Sequence, residues 1–358
     1  MNTILRLFLG AFSLLLVASC SSDMVDKLTP VPIAYGKVNE LVVVADTDIW
    51  KGPVGDTLRY YLSSAYIILP QPEPLLDLRY YSPKELMAVK GRQNFRNYLM
   101  LANLTDKDSP TTQLVTNDIG SEGVRRAKET PSFNLSIGNN KWAQDQILMY
   151  QFAFSDDQLI ERIKKNAPVI LNRVNKHDSE IVDANIYQGG INSEMVSLVN
   201  TRMGVDLKVP YDYFLALDDT TNNTIWLRKE TSALSANIFI HRYPYVNKDQ
   251  FSKSGIKKIL NELGLYVSTD VVGTYKHIND VDLPMYTTNV ELDGNFAVES
   301  RGIWEIVNDY MGGPYISYSV LDPKTNEIIL VEGFVHAPSK KKRDYMQQLE
   351  YIFKTLKI

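Results

Sequence analysis

Apolar positions along this chain follow two rhythms, one of strands and one of helices. Residues 41–44 (Leu41, Val42, Val43, Val44) form a continuous apolar run, and 147–154 one broken only by Gln151, the pattern of buried strands. Between them lies a polar loop at 46–52, then helical spacing from Pro53 with Leu58, Tyr61, Leu62 and Ala65 on one face. The run Leu69-Pro70-Gln71-Pro72-Glu73-Pro74 cannot sit inside a helix, because its three prolines remove donors and fix φ. A strand at 76–80 leads into Ser82-Pro83-Lys84-Glu85, where Ser82 caps a helix, Pro83 takes its first position and Glu85 closes a capping box. A strand follows at 96–101. Residues 103–146 are polar, with a helix expected at 119–128 and turns at 134–140. After the strand at 147–154, Leu159, Ile160, Ile163, Ala167 and Ile170 form a helical stripe.

Gly189-Gly190 breaks the pattern and marks a boundary between two halves, 37–188 and 189–358. The second half opens with a helix at 193–203 and strands at 213–217, 224–228 and 236–241. An amphipathic helix at 247–263 is expected to end on Gly264 as its C-cap. Strands at 285–292, 296–306, 315–321 and 327–335 read as a meander, the last two turning through residues 322–326. A closing helix spans 339–357. The fold class is therefore α+β: antiparallel sheets covered by helices in two α/β-layered halves, the second ending in a meander plus C-terminal helix. Antiparallel order follows from turns too short for a crossover. An echo between 147–153 and 329–335, each followed by a helix, reflects how common that unit is more than a duplication.

The start of the chain changes the picture. A single cation, Arg6, precedes an apolar run at 7–17, the length of a secretory signal and too short for a comfortable membrane span. Val17-Ala18-Ser19-Cys20 resembles a bacterial lipobox, in which the cysteine is lipidated and becomes the mature N-terminus. Residues 1–19 are thus expected to be a lipoprotein signal peptide and 20–36 a tether. Cys20 is the single cysteine, so the mature chain has no internal disulfide and no thiol for catalysis. Ser21 after Cys20 favours the outer membrane over inner-membrane retention. Loss of residues 1–19 moves the net charge from −4 to −5, which argues against nucleic acid as a partner.

Motifs of chemistry are sparse. The four histidines, His177, His241, His277 and His336, are scattered without metal-ligand spacing, and His241 and His336 read as packing or capping residues. Asp46-Thr47-Asp48 could offer carboxylates to a divalent cation but reads as a solvated loop. Lys340-Lys341-Lys342-Arg343 puts cations in a first helical turn, against the macrodipole. No cofactor or metal is expected.

The richest constellation is residues 299–314. Alternation puts Glu299, Arg301 and Ile303 on one face of a strand, and Ser300, Gly302 and Trp304 on the other. Asp309 and Tyr310 follow, then a turn at Gly312-Gly313-Pro314. The bland reading is a structural turn with Trp304 in the core. The sharper one makes Glu299, Arg301, Trp304, Asp309, Tyr310, Gly312 and Gly313 a binding surface, since Arg, Trp and Tyr dominate recognition sites.

Several stretches together carry a family resemblance: Asn39-Glu40-Leu41-Val42-Val43-Val44, Trp50-Lys51-Gly52-Pro53-Val54-Gly55-Asp56, the proline run at 69–74, Glu299-Ser300-Arg301-Gly302-Ile303-Trp304 with residues 308–314, and Gly333-Phe334-Val335-His336-Ala337-Pro338 with Lys342-Arg343. The chain resembles domain-of-unknown-function family 4837 of Bacteroidota lipoproteins, over nearly the whole mature length. The resemblance implies an envelope lipoprotein and supplies no activity. The leading expectation is a non-enzymatic binding or envelope-maintenance protein, held to the membrane through its lipidated N-terminus and partnered with another envelope protein. The alternatives are a hydrolase or transferase built from dispersed carboxylates, and a lipid or small-ligand carrier. Labelling cells with an alkyne palmitate analogue should mark the wild-type protein and leave Cys20→Ala unmarked; equal labelling of both refutes lipidation.

Overall fold

The computed structural model describes residues 30–358. The expected signal peptide, Cys20 and the first part of the expected tether lie outside the described residues. Along the chain run β1 (Glu40–Val44), α1 (Thr47–Lys51), α2 (Pro53–Leu62), β2 (Asp77–Tyr81), α3 (Pro83–Ala88), β3 (Asn97–Asn103), α4 (Pro110–Glu129), β4 (Leu135–Asn139), β5 (Ile147–Ala153) and α5 (Asp156–Ile186). Then come α6 (Ser193–Met203), β6 (Phe214–Asp219), β7 (Thr224–Thr231), β8 (Leu234–Pro244) and α7 (Lys253–Gly264). The chain ends with β9 (Lys276–Asn279), β10 (Tyr286–Leu292), β11 (Asn295–Ile306), β12 (Gly312–Asp322), β13 (Glu327–His336) and α8 (Arg343–Phe353). Two compact units result: one holds residues 30–36, 41–51 and 79–162, the other 37–40, 52–78 and 163–358.

The sheet of the first unit has the order β2-β1-β3-β5-β4. Its centre is parallel, β1 against β3 and β3 against β5, and β4 joins β5 antiparallel. This corrects the expectation of antiparallel sheets throughout. The physical reason is connection length, since helix-bearing segments separate β1 from β3 and β3 from β5, long enough for a parallel crossover. Every residue of β1 is buried, as a strand covered on both faces requires. Val42, Val44, Tyr98, Met100, Tyr150 and Phe152 share a core with Leu86 of α3 and with Val115 and Ala127 of α4. The capping box forms as the sequence indicates: Ser82 N donates to Glu85 Oε2 at 2.8 Å and Glu85 N to Ser82 Oγ at 3.3 Å.

Three local expectations change here. The loop at 46–52 contains α1, whose Trp50 stacks on Tyr80 at 4.7 Å. Helix α4 is two helical pieces that meet at a kink at Gly120, φ 70°: the second matches the helix expected at 119–128, and the first, not expected, is capped by Ser109 ahead of Pro110, with Asp46 accepting from Thr111 N and Thr111 Oγ1. Ile33 and Tyr35 bridge to Gln144 and Phe95, so the chain is already part of the first unit there rather than a tether to residue 36.

The second unit is organised on an eight-stranded antiparallel sheet, curled, in the order β10-β11-β12-β13-β8-β7-β6 with β9 added on β11. One face carries Ile225, Ile238, Ile316, Val320, Ile329 and Val331 against Met195, Val199 and Met203 of α6 and Met346, Leu349, Ile352 and Phe353 of α8. The other carries Phe239, Val298, Trp304, Tyr315 and Phe334 against Ile256, Leu260 and Leu263 of α7. The meander and covering helix are thus present. The helix expected over 247–263 is divided, because Ser252 adopts an extended backbone and caps α7 through Gly255 N. Gly264 is the last residue of α7 and not its left-handed cap. A Cβ there would stand 2.0 Å from the Lys276 carbonyl oxygen, so close approach of β9 explains the glycine.

The closing helix covers 343–353, shorter than the expected 339–357, because residues 339–342 form a turn that a distant carboxylate holds. Glu73, 6 % exposed, accepts from Lys342 N at 2.5 Å and Arg343 N at 3.2 Å. Its negative charge at the N-terminus of α8 offsets the cations that begin the helix. The Arg343 side chain turns back to Pro74 O at 2.7 Å and Asp77 Oδ2 at 2.8 Å. The proline run at 69–74 therefore serves to present a helix cap. Glu73→Ala should lower the unfolding free energy by about 1–3 kcal/mol, through two orphaned backbone donors, with Glu73→Gln losing less. Urea melts that superimpose for wild type and Glu73→Ala refute the cap.

Candidate functional site

Alternation along β11 divides the constellation at 299–314 between the two faces of the sheet. Glu299 and Arg301 lie on the α8 face. Arg301 donates to Glu299 through Nε at 2.6 Å and Nη2 at 3.1 Å, and through Nη1 to Glu350 at 2.6 Å and Tyr66 Oη at 2.9 Å. Tyr318 Oη donates to Glu299 at 2.7 Å. Burial opposes the Arg301 charge, but the hydrogen bond to Glu299 and the charge of Glu350 outweigh it and raise its pKa above the ordinary value. Every strong donor of this guanidinium is engaged within the unit, which makes the pair an internal brace for α8.

Trp304 lies on the opposite face, 2 % exposed, in T-shaped contact with Phe334 at 5.2 Å. It forms a wall of a cavity of about 280 Å³ whose other walls are Trp226, Asn237, Phe334 and His336, with Arg228 and Asp270 also lining it. Strand pairing assembles this set: Trp226 stands opposite Phe239 and Arg228 opposite Asn237, while β13 supplies Phe334 and His336. Trp226 Nε1 donates to Asn237 Oδ1 at 3.0 Å, and Asn237 Nδ2 donates to Ser235 Oγ at 3.1 Å. The Trp304 indole N–H is buried with no hydrogen-bond partner in the protein. A buried donor of this kind carries a desolvation cost of about 1–3 kcal/mol until an acceptor meets it. His336 Nδ1 lies 3.1 Å from Gly312 O. A carbonyl only accepts, so Nδ1 is the donor in this contact.

Asp309, Tyr310, Gly312 and Gly313 line a second concavity, of about 460 Å³, which shares Trp304, Met311 and His336 with the first. Tyr310 is fully exposed. Gly312 and Gly313 are not in a turn, as expected, but in β12; the reversal sits at Asn308, which adopts φ 63°. A Cβ on Gly313 would stand 1.9 Å from Val335 O and 3.4 Å from Trp304 Nε1, so the glycine answers strand crowding beside the indole. The structure thus brings together five of the seven expected residues around Trp304 and separates Glu299 and Arg301 from them.

Beneath the cavity wall lies a fully buried ion pair. Lys276 Nζ is 2.5 Å from Glu332 Oε1, both side chains are 0 % exposed, and Nζ sits 4.8 Å from the Phe334 ring centre. Burial pushes the Glu332 carboxyl up, against the pull of Lys276. Ser300 and Ser317 hydrogen bond beside it at 2.7 Å.

Other candidate motifs find structural employment. Asp46 holds the start of α4, His241 Nδ1 pairs with Thr224 Oγ1 at 2.9 Å, and Lys342 and Arg343 are buried at the head of α8. Among the described residues no helix is long and apolar enough to cross a membrane. Trp226, Arg228, Asn237 and Asp270 were not singled out in the sequence. Alternation in Trp226-Leu227-Arg228 puts the first and third on one face, yet only the β7–β8 register shows that this face meets Trp304.

These features define a class: an α+β chain of two units, one on a mixed sheet and one on a curled antiparallel sheet with an aromatic cavity. The second unit carries a known domain: residues 192–355 match the family described as Domain of unknown function (DUF4837). Residues 34–187 match a different family, Domain of unknown function (DUF8532), which takes in the motifs at 39–44, 50–56 and 69–74. The resemblance drawn from 299–314 and 333–343 therefore holds for the second half, and the N-terminal motifs belong with the other family. No curated protein matches the chain. Among solved structures, LpqN of Mycobacterium tuberculosis, described as involved in cell envelope biogenesis, is 12% identical, with 42% of this chain and 81% of that one covered at a TM-score of 0.27. The Ran-binding protein Mog1p of Saccharomyces cerevisiae is 10% identical, with 43% and 89% covered at 0.28.

Breaking the buried pair from one side should be costly. Lys276→Met alone is expected to lose about 3–5 kcal/mol, and Lys276→Met with Glu332→Leu to regain most of it. A double variant no more stable in urea than the single one contradicts this account of the wall.

Proposed function

We propose that this is a lipid-anchored envelope protein that works by binding, without catalysis, and that the cavity beside Trp304 is its receptor site. The observation that carries the reading is a cavity of about 280 Å³ set against Trp226, Trp304 and Phe334, with Asn237, Arg228, Asp270 and His336 also lining it. Small-molecule sites have this make-up, apolar walls with a few placed polar groups. The lipobox at Cys20 supports the envelope address. Hydrolysis is the weaker reading, because the groups a hydrolase could recruit from this face, Lys276, Glu332, Ser300 and Ser317, are fully buried and bonded to one another. A carrier for long acyl chains needs more room than about 280 Å³.

The four tryptophans give a direct test, since Trp226 and Trp304 line the cavity and Trp50 and Trp142 do not. The full chain is labelled with 5-fluorotryptophan and titrated with phenol, a small ring bearing one hydroxyl. Saturable movement of the Trp226 and Trp304 fluorine resonances alone is expected. Ser268→Phe, at an exposed position on the cavity lining, should abolish it without lowering the thermal midpoint. If phenol moves neither resonance, or all four in parallel without saturation, the cavity is not a receptor site.

A further inference from the structure

The curled sheet of the second unit ends on two open strands, and they differ in how they are protected. At one end, β6 carries a bulge between Leu215 and Leu217 and closes on Asp218 and Asp219. Bulges and charges blunt an edge against pairing with another chain. At the other end, β10 (Tyr-Thr-Thr-Asn-Val-Glu-Leu) matches β11 over seven consecutive residues without a register shift. It contains no proline and no lysine, its one charge is Glu291, and Tyr286, Thr287, Thr288 and Asn289 are exposed. Among the described residues no strand pairs with its outer side. Such an edge leaves backbone N–H and C=O groups pointing outward, a template for one more strand.

We propose that β10 is a dimer seam, pairing antiparallel with β10 of a second copy of this chain about a two-fold axis through Asn289. The order of residues along the strand singles out this occupant. A two-fold axis normal to the sheet makes the neighbours antiparallel and keeps each face continuous, so every residue must meet one from its own face. Register with β11 puts Tyr286, Thr288, Val290 and Leu292 on the face of Glu299 and Arg301, and Thr287, Asn289 and Glu291 on the other. Overlap of all seven residues centres the axis on Asn289 and meets that condition. On the α8 side Tyr286 then faces the partner's Leu292, and Thr288 faces the partner's Val290. These pairs extend the apolar row that Val290 and Leu292 begin against the core. On the α7 side Thr287 faces the partner's Glu291, and Asn289 meets its own copy. Aromatic, aliphatic and β-branched pairs of this kind stabilise a sheet, and no like charges stand opposite one another. A slip by two gives up the pairs at both ends. This matching of apolar with apolar and polar with polar is what a second copy offers and an arbitrary strand does not.

Sedimentation velocity on the mature chain, kept unlipidated by Cys20→Ser, tests the seam. With β10 intact, monomer should give way to dimer as concentration rises. Asn289→Lys opposes two cations on the axis and should leave monomer only, with the thermal midpoint of the dilute protein unchanged because the position is exposed. Asn289→Glu should do the same, and an equimolar mixture of the two variants should restore the dimer. A short bismaleimide should link Asn289→Cys chains to one another and leave Thr221→Cys chains, altered in the β6–β7 turn, unlinked. A chain that stays monomeric at every concentration overturns the assignment. So does a dimer that survives both charge variants, a mixture that stays monomeric, or equal cross-linking through Thr221→Cys.

Discussion

A helix that opens on Lys342 and Arg343 has its first-turn charges opposed to its own dipole, and the second unit depends on how that opposition is met. Glu73, 269 positions earlier than Lys342, lends a carboxylate to the two backbone donors. With the cap in place, Met346, Leu349, Ile352 and Phe353 can cover one face of the sheet. That cover fixes β12 and β13, whose opposite faces present Tyr315, Phe334 and His336 to the α7 side. The cavity is therefore several steps downstream of one long-range electrostatic contact. Arg301 adds a second tie to the same helix through Glu350.

Much of this fold was legible because local rules agreed with the global one. The capping box at Ser82, the helix 193–203 and the four strands of the meander stand where periodicity and cap chemistry put them. The failures have a shared cause. Gly264 and Gly313 look like chain reversals in one dimension, yet each is small to let another strand's carbonyl approach within the space a Cβ would fill. The parallel centre of the first sheet was hidden for a similar reason, since a sequence states the lengths of its connections but not which strands become neighbours.

The site was legible by half. Trp304 with Asp309, Tyr310, Gly312 and Gly313 stood out because they are close in sequence. Trp226, Arg228, Asn237 and Asp270 did not, because pairing across β7, β8, β11 and β13 brings the first three beside Trp304, while Asp270 comes from the connection between α7 and β9. The two-residue period of a strand sorted the rest: neighbours along β11 divide between bracing a helix and walling a cavity, so proximity in the chain said little about shared work.

The pair Lys276–Glu332 also bears on how the short strand β9 finds its place. Four residues matched to β11 offer little to choose between one alignment and another, and a slip of two would keep the same residues facing inward. It would, however, put Ile278 where Lys276 belongs and leave the charge of Glu332 sealed in the core without a counterion. The cost of that misalignment is what a well-packed apolar pair could not impose. A salt bridge that adds little to stability can thus act as a register pin, permitting one of several nearly equivalent pairings and penalising the others.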